Sequence, residues 1–136
     1  MKISIYTDGG ARGNPGISGY GLVVLDHQDT PIHQQSKFLG IKTNNEAEYL
    51  GMVAALTWLK DNQVGITAVN FYSDSQLMIR QINGQYKVKS PHLKPLFDTA
   101  KNLISQIKPP ISFLDIRRGK NELADALANQ AMDKCH

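Results

Sequence analysis

Two aspartates in this chain sit in equivalent settings. Ile5-Tyr6-Thr7-Asp8 and Phe71-Tyr72-Ser73-Asp74 each read as a strand of branched and aromatic residues ending in a hydroxyl residue and an acid. Ligand sites in open α/β sheets lie beyond the carboxyl ends of parallel strands. If the two strands are neighbours, the aspartate Cα atoms are as little as about 5 Å apart. Carboxylates that close repel each other unless a proton or a cation sits between them. Gly9 and Ser75, which follow, leave room for a ligand. Taken singly, each aspartate is better read as a turn or cap residue, and Asp74 before Ser75-Gln76 suits a helix cap. Taken together at equivalent strand ends, the pair points equally well to a cation site.

Two further acids, Glu46 and Glu48, lie on one helix. Thr43 with Glu46 three residues on is a capping-box pattern, which gives Glu46 a local structural role. Glu48 is in register with Met52, Ala55 and Leu59 on the inward face. A carboxylate there is costly unless it is paired or binds metal, so Glu48 is the better site residue. Asp125 lies between Ala124 and Ala126 near the start of the last helix, where it also suits the helix dipole. Oxygen ligands without a His or Cys cluster fit Mg²⁺ or Mn²⁺ rather than zinc. Such ions mostly serve phosphate chemistry, in pairs roughly 3.5–4 Å apart.

A nucleic-acid partner has a separate signal. From Ser75 to Phe97 there is no Asp or Glu, while Arg80, Lys87, Lys89 and Lys94 are interleaved with Tyr86 and His92. Basic residues beside a stackable ring suit a nucleic-acid backbone, although the same pattern describes a solvated basic face. Arg117, Arg118 and Lys120 form a second cluster just before Asp125. The glycine-rich segment Gly9–Gly16 lacks the P-loop lysine pattern, so it does not read as a nucleotide-triphosphate site.

The elements that must position these residues follow from periodicity and punctuation. Lys2–Thr7, Tyr20–Leu25 and Ile32–Phe38 read as strands, the short links between them favouring an antiparallel meander. Gly9–Gly16 reads as a loop. Thr43 to about Asp61 is a helix, apolar almost all round. Ala68–Ser73 is a strand, and Ser75–Ile82 a short helix stopped by Asn83-Gly84. Ser90 caps the next helix with Pro91 in its first turn, and Leu93, Leu96, Phe97, Ala100, Leu103, Ile104 and Ile107 form its stripe up to Pro109-Pro110. Ile111–Ile116 is the last strand and Asn121–Asp133 the last helix. The order β-β-β-α-β-α-α-β-α implies a mixed α/β sheet with helices on its faces.

With 136 residues, 41% hydrophobic and 20% charged, the chain suits one soluble globular domain, 1–136. The net charge of +3 only weakly favours a polyanionic partner. The lone Cys135 excludes an internal disulfide, and residues 134–136 read as a frayed tail rather than a Cys135–His136 metal site. MKISIYTDGG has the pattern of a strand and not of a signal peptide or membrane span, so a cytoplasmic, intracellular location is expected, with a monomer as the default state.

Four segments in order resemble the type 1 ribonuclease H family: Asp8-Gly9-Gly10-Ala11-Arg12-Gly13-Asn14-Pro15-Gly16, Thr43-Asn44-Asn45-Glu46-Ala47-Glu48-Tyr49, Ser73-Asp74-Ser75-Gln76 and Glu122-Leu123-Ala124-Asp125-Ala126-Leu127-Ala128. No segment is decisive alone, but four in order over nearly the whole chain are highly specific. The resemblance implies an RNase H-like fold with a five-stranded sheet, order 3-2-1-4-5, in which only the second strand is antiparallel. It implies a metal-dependent endoribonuclease that cuts the RNA strand of an RNA–DNA hybrid. Asp8, Glu48, Asp74 and Asp125 would be both catalytic residues and ligands of two Mg²⁺ ions, with Mn²⁺ a possible substitute. The products would be 5′-phosphate and 3′-hydroxyl ends. By position in the motifs, the backbone of Gly10–Arg12 with Asn14, Asn45 and Gln76 would face the RNA strand. Thr43 and Asn44 would lie near the DNA strand and a phosphate.

Two departures from the family pattern stand out. The loop before the last acid is Arg117-Arg118-Gly119-Lys120, without the histidine many members carry. Arg117 or Arg118 would serve there in product release, though arginine is no base at ordinary pH. The basic protrusion of longer members is also missing, since only Asn83–Lys89 separates Ile82 from Ser90. Lys87 and Lys89 would stand in for it, with weaker, steeply salt-dependent hybrid binding expected. The alternatives are a non-catalytic nucleic-acid-binding module on the same fold, or another nuclease of that fold such as a recombination or transposition enzyme.

Overall fold

The computed structural model describes residues 1–134; Cys135 and His136, and with them the end of the expected frayed tail, lie outside the described residues. The elements run β1 (Lys2–Arg12), β2 (Gly16–Leu25), β3 (Pro31–Lys42), α1 (Asn44–Asp61), β4 (Ala68–Ser73), α2 (Gln76–Ile82), α3 (Lys94–Ser105), β5 (Ile111–Asp115), a 3₁₀ turn (Arg118–Lys120) and α4 (Glu122–Asp133). They form one five-stranded sheet of order β3-β2-β1-β4-β5. β2 runs antiparallel to β1 and to β3, while β4 is parallel to β1 and to β5. This is the expected RNase H-like arrangement.

Strand alternation puts a helix layer on each face of the sheet. Tyr20 faces Gly51 of α1, where an added Cβ would lie 3.2 Å from the Tyr20 Cβ. Its neighbours Gly19 and Gly21 face α4 instead, at Ala131 and at Ala124–Ala128. The main core lies on the α1 side: Ile3, Ile5, Leu22, Val24 and Phe71 from the sheet meet Met52, Leu56 and Leu59. α3 packs on α1 from outside, presenting Ala100 and the half-buried Leu96, Phe97, Leu103 and Ile104. None of the helices among the described residues is long and apolar enough to cross a membrane.

Three local expectations are corrected. Gly9–Arg12 does not form a loop: β1 continues to Arg12 and β2 begins at Gly16, leaving only Gly13–Pro15 as the hairpin tip. The strand persists because Gly9 to Arg12 pair in register with Tyr20 to Ile17. The absent glycine side chains, normally a weakness in a strand, let α1 and α4 approach here. β3 likewise extends beyond Ile32–Phe38 in both directions, to Pro31–Lys42, because β2 offers a partner along its whole length. Finally, α3 starts at Lys94, with Pro95 in its first turn, and not at Ser90-Pro91. The Ser90 hydroxyl accepts from the backbone N–H groups of His92 and Leu93, so it caps a separate turn ahead of the helix.

Candidate active site

The parallel pairing of β1 with β4 ends at Thr7 and Ser73. Asp8 and Asp74 are the next residues on each chain, at the point where the two strands part. Asp8 is therefore not at the end of β1, which runs on with β2; it is at the end of β1's parallel partnership. That is where a crevice opens in a sheet of this kind. Asp8 is 3% exposed. The preceding carbonyl, of Thr7, accepts a buried hydrogen bond from Asn121 Nδ2 at 2.8 Å, tying the start of α4 to this strand.

The entry to α1 decides which glutamate is free. The Thr43 hydroxyl accepts from the Glu46 N–H at 3.1 Å, and the Glu46 carboxylate accepts from the Thr43 N–H at 3.0 Å. Glu46 is thereby committed to the capping box, and these bonds hold its carboxyl below the usual range. Glu48 points inward, 7% exposed, and its Oε1 accepts from the Gly9 N–H at 2.8 Å. Glu46→Gln is expected to leave the Glu48 carboxylate in place, with its bond from the Gly9 N–H intact. It should lower stability by no more than about 1 kcal/mol, the scale of a cap contact, as read from urea unfolding. That loss should shrink on acidification, because a depressed carboxyl pKa stabilises the fold only while the group is ionised.

Asp74 is also free of capping duty. Ser75 caps α2 in its place, accepting from the Met78 N–H at 3.3 Å. Carboxylate oxygens of Asp8, Glu48 and Asp74 lie within 4.8 Å of one another. Asp8 is pushed up to about 8, first by burial, then by the Asp74 charge and by Asp125; Arg118 opposes this. Glu48 is raised well above the ordinary range by burial and then by Asp8 and Asp74. Asp8 Oδ1 and Asp74 Oδ2 are buried without a hydrogen-bond partner. Arg118 Nε lies 3.8 Å from Asp74 Oδ2, on a side chain that is 80% exposed. Crowded, dehydrated carboxylates with unmatched lone pairs suit a hard divalent cation, and so does an all-oxygen donor set. Asp125 lies outside the tight trio, half-buried on α4, within hydrogen-bonding reach of Asp8.

The remaining predicted residues fall into two groups. Asp8, Gly10, Arg12, Asn44, Arg118 and Asp125 line one open cleft. Within it, the Ala11 N–H donates to Asn44 Oδ1 at 2.7 Å, and the Asn44 N–H donates to Asn14 Oδ1 at 3.0 Å. These two asparagines lock the β1–β2 hairpin onto the start of α1. Thr43 is the α1 N-cap at the margin of this region. Asn45, Gln76, Lys87, Lys89 and Arg117 are exposed and do not line the cleft. No helix occupies the segment between α2 and α3 that holds Lys87 and Lys89. Sequence reasoning missed Asn121, Asn129 and Asp133. The last two have a visible signal, being four and eight residues beyond Asp125 and hence on its helix face.

A family model described as reverse transcriptase-like matches residues 6–131. The chain is 36% identical over 149 residues to a ribonuclease H of Ruthia magnifica subsp. Calyptogena magnifica, covering 98% of this chain and 97% of that protein. It is 43% identical over 137 residues to the bifunctional protein Rv2228c of Mycobacterium tuberculosis, covering 98% of this chain and 36% of that protein. The chain thus spans about a third of the length of the first curated relatives it matches. Among solved structures, LC11-RNase H1 in complex with RNA/DNA hybrid aligns with a TM-score of 0.92 at 42% identity, over 97% of each chain.

Proposed function

The chain belongs to the type 1 ribonuclease H family, and from that premise we propose that it is a metal-dependent endoribonuclease cutting the RNA strand of RNA–DNA hybrids. The observation that carries this reading is the carboxylate trio within 4.8 Å, with two buried oxygens that have no hydrogen-bond partner. The hybrid bound by LC11-RNase H1 supports the substrate class. Residues 1–136 are read as one catalytic domain that works as a monomer.

Asp8, Glu48, Asp74 and Asp125 would hold two Mg²⁺ ions, with Mn²⁺ able to replace them. When bound, the ions would supply the charge that activates water and stabilises the leaving oxygen, giving 5′-phosphate and 3′-hydroxyl ends. The protein's own part is positioning. The Gly9 N–H holds Glu48, the capping box fixes the α1 entry, and the Asn14–Asn44 lock sets the hairpin beside the metal site. The backbone at Gly10–Arg12, with Asn14, Asn45 and Gln76, would meet the RNA sugars, where the 2′-hydroxyl distinguishes RNA from DNA. Thr43 and Asn44 would sit by the DNA strand, and Lys87 and Lys89 would add phosphate contacts.

The test is cleavage of a labelled hybrid beside duplex DNA, duplex RNA and free RNA, with Mg²⁺ or Mn²⁺. Cleavage of the hybrid alone, abolished by chelation, is expected; no metal-dependent cut in the hybrid would overturn the proposal. Arg118 and Arg117 are assigned to product release, Arg118 being the one beside Asp74. Arg118→Ala should slow steady-state turnover more than Arg117→Ala does. Equal, wild-type turnover in both variants would remove the arginines from that role.

A further inference from the structure

Asp8, Glu48 and Asp74 crowd together, and Asp125 reaches Asp8 from α4. One turn further on, Asn129 Nδ2 donates to Asp125 Oδ2 at 3.3 Å. The other end of that amide, Oδ1, faces Arg12 Nη2 at 3.5 Å. The same Arg12 nitrogen is ion-paired with Asp133 Oδ1 at 2.6 Å. A polar chain therefore runs Asp133–Arg12–Asn129–Asp125, from the end of α4 through Arg12 at the end of β1 to the candidate metal site.

The charges along this chain select one sense of the Asn129 amide. With its carbonyl oxygen toward the guanidinium, its NH₂ faces the carboxylate. The flipped amide would set the carbonyl against the Asp125 carboxylate and the NH₂ against the cation, both repulsive. The Arg12 and Asp133 side chains are 48% and 63% exposed, so their ion pair adds little to stability. Its consequence is geometric: it presents a cation at a fixed place beside Asn129.

We propose that Asn129 is a positioning residue for Asp125, holding its carboxylate ready for a divalent cation, with Arg12 setting the sense of the Asn129 amide. The proposal rests on the reading of Asp125 as a metal ligand. Outer partners of metal-binding carboxylates typically change metal affinity or activity by about 10–100-fold.

The experiment compares wild type, Asn129→Ala and Asn129→Gln by calorimetric titration of Mn²⁺ into substrate-free protein. Thermal unfolding without metal and the metal dependence of hybrid cleavage are measured alongside. Asn129→Ala should weaken Mn²⁺ binding, and raise the metal concentration for half-maximal cleavage, on the order of 10-fold. KM for the hybrid at saturating metal should be unchanged, and Tm without metal nearly so. Asn129→Gln, which retains an amide donor, should recover part of the loss. Wild-type Mn²⁺ affinity in Asn129→Ala would overturn the proposal, and so would a fall in activity that tracks Tm alone. If wild type itself takes up no Mn²⁺, the metal reading of the site fails, and this proposal fails with it.

Discussion

Glu48→Gln is expected to abolish hybrid cleavage, by about a thousandfold or more, while making the metal-free protein more stable at alkaline pH. The first effect follows from removing a charge proposed to bind metal from a crowded, dehydrated site, where electrostatic contacts carry several kcal/mol of the barrier. The second follows from burial. Glu48 is raised well above its ordinary value of 4.5 by desolvation and by its acidic neighbours. A raised pKa contributes stability that is complete below the unfolded value and is lost as pH rises through the folded one. Gln carries no charge at any pH, and its carbonyl can still accept from the Gly9 N–H. The variant's advantage over wild type should therefore grow with pH and vanish below about 4.5. Mg²⁺ should reverse the order, stabilising wild type more than the variant. Thermal unfolding at pH 5 and pH 9, with and without metal, reads all of this. Retained cleavage, or a Tm at pH 9 no higher than wild type, would contradict it.

Gly9→Ala should cost both stability and activity, for a single steric reason. A Cβ at Gly9 would lie 2.4 Å from the Ala47 carbonyl carbon and 2.5 Å from the Ala47 oxygen and the Glu48 nitrogen. These are backbone atoms of α1, so no side-chain rotation relieves the clash. The helix must move away from β1, and the Gly9–Glu48 hydrogen bond at 2.8 Å lengthens with it. Overpacking of this kind costs about 1–3 kcal/mol or more, which for a domain of this size lowers Tm on the order of 10 °C. Unlike Glu48→Gln, this variant should be less stable at every pH, and its activity should fall even well below its Tm. A Tm within a degree or two of wild type would mean that α1 can shift freely, and that the close approach does not set the position of Glu48.

Much of this arrangement was legible in the chain because its signals are local. The Thr43–Glu46 capping box separates Glu46 from Glu48 on local pattern alone, and the structure shows both bonds of the box. The strand–hydroxyl–acid echo at Asp8 and Asp74 marked two positions that the β1–β4 register makes adjacent. Where local signals misled, a tertiary partner overrode them. Gly9–Arg12 has the composition of a loop, yet it is a strand because β2 pairs with it and two helices need the space its glycines leave. Ser90-Pro91 has the composition of a helix start, yet it caps only a turn.

Periodicity, capping patterns and motif spacing are properties of neighbouring residues, so the chain alone indicates most of the elements, their order and four candidate acids. How those acids are held depends on packing between distant segments. Asp8, Glu48 and Asp74 crowd within 4.8 Å, with burial disfavouring the charge on Asp8 and Glu48, and Asp125 is reached through Asn129 and Arg12. Arg12 and Asn129 are 117 positions apart in the chain. No local pattern encodes such a contact; it exists because α4 packs across β1 and β2, against glycines that let the backbones meet.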